Sequence, residues 1–200
     1  MSSLRKTLVF LIAGWSGFFV MAIELLSGRI LAPSFGNSIY VWGGVITVFM
    51  LALSIGYLLG GQLSIRTPSL RKLGFILIAA ALTTMPVIIW SDALIDLVFN
   101  HISDPRYGSL LASSALFFIP TIISGCVSPY AIRLLVTHLQ ASGQSAGLLY
   151  FVSTFGSAAG TIGTSFYLVL FFEVNQIFSG LILISLILGG IAVLLNSTHE

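Results

Sequence analysis

A chain of 200 residues with 7% charged side chains and a mean hydropathy of +1.08 cannot be a water-soluble domain, in which about a quarter of residues are charged. A net charge of +2 gives no hold on nucleic acid, and a single cysteine, Cys126, leaves no partner for an internal disulfide. Because Cys126 falls inside an apolar run, it reads as a buried, inert thiol.

Apolar runs of about 20 residues, each able to cross a bilayer core of roughly 30 Å, recur along the chain. They predict an all-α polytopic membrane protein, a single transmembrane domain over residues 1–200, with six spans at about 7–31, 40–63, 73–97, 109–135, 147–172 and 174–195. The N-terminus is basic and then apolar, like a signal peptide. It runs on past Ala22 into Glu24 and Arg29 without a small-residue cleavage site, which predicts a retained signal anchor.

The first span buries a carboxylate, Glu24, at a depth where a charge costs roughly 2.5–3.5 kcal/mol on insertion scales. Arg29 follows, then Ala32-Pro33, which predicts the helix end, a polar turn from Ser34 to Ser38, and the aromatics Tyr40 and Trp42. Arg29 lies roughly 140° round the helix from Glu24, so the two share no face of a regular helix. Glu24 is then protonated, paired with Arg29 across a distorted turn, or hydrogen-bonded from other helices. It serves either a network that fixes helix register or a cation or proton site on a central cavity.

If the spans alternate, Arg5, Lys6, Arg66, Arg71, Lys72 and Arg133 fall on one side. Asp92, Asp96, Asp104 and Glu173 fall on the other, opposed by Arg29 and Arg106. The positive-inside rule makes both termini cytoplasmic, in a bacterial-type inner membrane. The outer segment from Asp92 to Tyr107 reads as a helix extension or a short interfacial helix. His101, His138 and His199 read as solvated, since no second ligand stands at metal spacing, so no metal or other cofactor is expected. Snorkelling accounts for Arg29 and Arg133. The loop GGQLSIRTPSLRK resembles the one between helices two and three of major-facilitator transporters, but Ser64-Ile65 replaces its acidic residue. Topology setting and contact with anionic lipid suffice to explain it.

Span four carries Pro120 and a second breaker, Gly125 to Pro129. The break either shapes packing or makes a discontinuous helix lining a cavity, with Ser128, Tyr130 and Arg133 beside it. Spans two and five carry GxxxG stripes, Gly56 with Gly60 and Gly156 with Gly160, suited to close helix packing. Packing is the default reading, and lost side-chain volume there, beside Tyr150 and Ser153, would also open room for a solute. The two halves share an outline: a helix with a breaker and an arginine near its end, then aromatics running into GxxxG. That outline predicts a 3+3 inverted repeat, like half of a major-facilitator fold.

Glu24-Leu25 with Arg29, Leu31, Ala32, Pro33, Phe35, Gly36 and Ser38 resembles the ElxxRlLaPyfGxS signature of spermidine synthase-like membrane proteins, the fused transporter/spermidine synthases. Tyr40, Trp42, the GYLLGG at Gly56 to Gly61, Ser128-Pro129-Tyr130 with Arg133-Leu134, and GLLYFVSTFGSAAGT continue it over nearly the whole chain. The resemblance implies the membrane half of such a protein. The soluble aminopropyltransferase-like half is missing from these residues, so no enzyme activity is expected. The expected function is a transporter or flippase-like unit for a polyamine or another cationic or amphipathic solute. Its partners would be the lipid bilayer and a homo-oligomer or larger membrane complex. Glu24, Arg29, Tyr40, Trp42, Ser128, Tyr130, Arg133, Tyr150 and Ser153 are the candidate solute contacts. The rival expectation is a membrane scaffold that docks a partner such as a separate synthase.

Overall fold

A computed structural model describes residues 3–65, 67–136 and 142–197. Arg66, His138 and His199 lie outside the described residues. The described residues form helices joined by short connections, with no strand among them: α1 (Ser3–Phe35), α2 (Ile39–Leu63), α3 (Leu70–His101), α4 (Pro105–Gly125), α5 (Val127–Leu135), α6 (Ser142–Gly163), a π-helical turn (Thr164–Leu168), α7 (Val169–Phe171) and α8 (Val174–Ser197). Among them, six helices are long and apolar enough to cross a membrane, α4 with α5 and α6 through α7 each counting as one span. Composition forces this outcome, because a backbone in lipid must satisfy its own hydrogen bonds and a helix does so within one segment.

Element ends follow local chemistry. Pro33 does not end α1 as expected. A proline removes only the bond to the carbonyl four residues back, and here it sits in the last turn. The end comes at Gly36, whose φ of +78° only glycine adopts cheaply, and whose N–H bonds Ala32 O at 2.9 Å. The segment after Asp92 is a helix extension, since α3 runs unbroken to His101. Asp104 then caps α4 by accepting from Arg106 N at 2.8 Å, with Pro105 in the first turn.

α1 stands at the centre and touches each of the other spans. It lies chiefly against α6, while α2 lies on α4 and α3 packs on α8 and α4. The glycines mark these crossings. A Cβ on Gly156 would strike Gly14 O, and one on Gly160 would sit 2.5 Å from Phe18 O. Across the bundle, a Cβ on Gly56 would strike Ile122 O and one on Gly60 would sit 2.5 Å from Cys126 O. Lipid tails are as apolar as leucine, so such backbone-close packing, rather than burial from water, holds these pairs. Two polar contacts add register: Trp15 Nε1 donates to Ser185 Oγ at 2.8 Å and Ser16 Oγ to Ser124 O at 3.4 Å. At the end carrying Arg5 and Lys6, the Arg5 guanidinium donates to Leu195 O at 3.2 Å, so the start of the first span and the end of the last lie at one end of the bundle, as an even number of crossings requires.

Candidate functional site

The break in span four is smaller than a discontinuous helix. It is one residue, Cys126, with near-helical φ −64° and ψ −22°, whose N–H reaches Ile122 O at 3.3 Å and Ile123 O at 3.1 Å. α4 runs straight through Pro120, where Ser124 Oγ donates to Pro120 O at 2.8 Å. Pro129 falls in the first turn of α5, where N–H groups have no helical partner to lose. The breakers therefore interrupt the helix for one residue without unwinding the span.

Beside this interruption lies a cavity of about 840 Å³. α2 and α3 meet mainly through the fourth span, so a groove opens between them with that span as its floor. Leu59, Phe75, Ala79 and Ile122 give it apolar walls, and Gln62 and Lys72 stand where α2 ends and α3 begins, on the basic end of the bundle. Lys72 Nζ donates to Thr67 O at 3.0 Å and to Thr67 Oγ1 at 2.8 Å. Tyr130 backs the cavity and is fully buried. Its hydroxyl accepts the Ser69 N–H at 3.1 Å, and Ser69 Oγ caps α3 by accepting from Lys72 N at 3.3 Å. Tyr130 thus ties α5 to the start of α3. Tyr130→Phe leaves the Ser69 N–H unpaired and is expected to lower unfolding stability in detergent by about 1 kcal/mol, read from thermal melts.

A second, more polar pocket of about 290 Å³ lies at the opposite end, between α1, the start of α2 and the π turn. It brings Arg29 and Trp42 together and adds Asn37, Thr164 and Ser165. Gly28 makes room for the indole, since a Cβ there would lie 2.6 Å from the Trp42 ring. Trp42 Nε1 in turn donates to Asn37 Oδ1 at 2.6 Å. Thr164 opens the π turn, is 1% exposed, and its hydroxyl has no hydrogen-bond partner.

The remaining sequence candidates are dispersed. Glu24 is half-buried on α1 and lines neither pocket; its carboxylate has no hydrogen-bond or ion-pair partner among the described residues, and only its backbone carbonyl is used, by Ser27 Oγ at 2.6 Å. Tyr40 turns away from Trp42 and carries Arg106 over its ring at 4.8 Å from the centroid. Ser128 is half-buried near the start of α5, and Arg133 is exposed in its last turn. Tyr150 is exposed on α6, and the Ser153 backbone faces Gly17 at the α1–α6 crossing. Asn37 and Ser165 escaped the sequence reading, as did Gln62 and Lys72 as cavity residues. A π turn has no composition signal, so nothing in the run GTSFYL announced it.

Set against known protein families, curated proteins and solved structures, the chain matches none of them.

Proposed function

We propose that this multi-pass membrane protein is a non-enzymatic, flippase-like carrier unit for an amphipathic solute, with both termini cytoplasmic in a bacterial-type inner membrane. The observation that carries the reading is the 840 Å³ cavity beside the interruption in span four, apolar along its walls with Gln62 and Lys72 at one end. A groove of that polarity suits an alkyl chain with its head group at the helix ends. The helix pairing supports two inverted three-helix units, as carriers use. Exchanging the halves carries the α1–α6 pair onto span four with α2, and the pair of third and sixth spans, α3 with α8, onto itself. Six spans are few for alternating access, which favours a homo-oligomer.

Glu24 lies outside the cavity, so its role in drawing a cationic solute toward the bundle is proposed from the resemblance to spermidine synthase-like membrane domains, which favours a polyamine, and not from the cavity's lining. Because its carboxylate has no partner among the described residues to lose, Glu24→Gln is expected to change unfolding stability by no more than about 0.5 kcal/mol. Uptake of a cationic probe such as spermidine should fall several-fold relative to a neutral amphipath. Reconstitution tests the reading as a whole. Liposomes containing the purified chain should move a fluorescent phospholipid between leaflets or accumulate spermidine; folded protein that moves neither leaves the scaffold function in its place.

A further inference from the structure

The polar pocket around Arg29 carries an inference that does not depend on transport. Every side chain that brings a heteroatom to it can donate a hydrogen bond, and none of its lining residues is acidic. Arg29 has no carboxylate partner among the described residues, although Asp92, Asp96, Asp104 and Glu173 belong to the same end of the bundle. Asn37 is oriented by Trp42: an indole N–H only donates, so the atom 2.6 Å from it is the amide oxygen, and the amide N–H groups are left for another acceptor.

Helical Ser and Thr side chains in this protein commonly donate to the carbonyl four residues earlier, as Thr47, Ser54, Thr84, Thr161 and Ser185 do. Thr121 and Thr164 depart from this pattern, and of the two Thr164 lines the pocket. Thr164 donates to nothing while being 1% exposed, and it lines the pocket at the first residue of a π turn. Ser38, next to Asn37 in the loop, is half-buried, and its hydroxyl oxygen is covered and without a partner. Buried hydroxyls left unpaired are costly, and π turns recur at functional sites. A ligand that brings several acceptor oxygens removes the cost.

We propose that this pocket binds a phosphate group, with Arg29 and Asn37 contacting its charged oxygens and Thr164 and Ser165 donating from the π turn. A volume of about 290 Å³ suits a head group, and Leu25 and Val169 leave an apolar flank along which an attached chain can lie. The phosphate is either that of a lipid or free in solution, and one experiment separates the two. Thermal unfolding of the full chain is followed in a phosphate-free maltoside detergent with phosphatidylglycerol, inorganic phosphate or diacylglycerol. Phosphatidylglycerol raising the melting temperature where diacylglycerol does not assigns a lipid phosphate; inorganic phosphate raising it assigns a soluble one. In either case Arg29→Gln and Thr164→Val should weaken half-saturation roughly tenfold or more. Thr164→Val keeps the side-chain shape and should melt no lower than the parent without ligand, so it carries the test if Arg29→Gln does not fold. No stabilisation by either phosphate, or stabilisation undiminished in Thr164→Val, overturns the assignment.

Discussion

Gly156→Leu is expected to break the α1–α6 pair and to lower the stability of the protein by at least about 3 kcal/mol. A Cβ at Gly156 meets the Gly14 carbonyl, and its next neighbours are Gly14 C and Cα, all backbone. Backbone cannot swing aside as a side-chain tip can, so the helices must separate, and overpacking of this kind costs more than the usual 1–3 kcal/mol. Leucine also improves helix propensity over glycine by roughly 0.8–1 kcal/mol, which is too little to offset the clash. α6 has little else to hold it, because 11% of the most apolar stretch of its span is buried, against 56% for α1. Gly147→Leu on the same helix is the control. Nothing lies within 4 Å of a Cβ there, so only the propensity gain remains and the melting temperature should hold or rise. Thermal unfolding in detergent distinguishes the two, and a Gly156→Leu protein that melts like the parent refutes the crossing.

The fold was legible because hydropathy and length leave a membrane helix few alternatives, and six spans came out within a few residues of their ends. Helix ends were less legible where two breakers compete. Pro33 looks the stronger signal, but Gly36 ends α1 because a left-handed residue redirects the chain, whereas a proline in the last turn costs one hydrogen bond. Pro120 and Pro129 announced a break in span four and overstated it: α4 continues through Pro120, and Pro129 stands in the first turn of α5. The site was half legible. Arg29 and Trp42 announce themselves by type, a charge and an aromatic at an interface, and they do meet. Tyr40 was grouped with Trp42 by sequence proximity, yet two residues along a helix are about 200° apart, and it faces Arg106 instead. Thr164 and Ser165 come from a span more than 100 residues away, and only the packing of the π turn against α1 brings them to Arg29.

The measurement that bears most directly on a carrier role is the rate of phospholipid movement in liposomes, comparing the parent with Ala79→Trp. Ala79 sits in the wall of the 840 Å³ cavity, half-buried on α3. An indole there occupies the groove between α2 and α3 without entering a helix crossing, so the variant should fold and melt near the parent. With a fluorescent phospholipid in both leaflets and an impermeant quencher outside, protein-free vesicles lose about half their signal. Parent-containing vesicles should lose nearly all of it, and Ala79→Trp should slow that second loss roughly tenfold or more, the equivalent of about 1.4 kcal/mol on the barrier. Equal rates in parent and variant at matched folded protein, or no loss beyond the outer half with the parent, contradict the assignment of the cavity as a solute path.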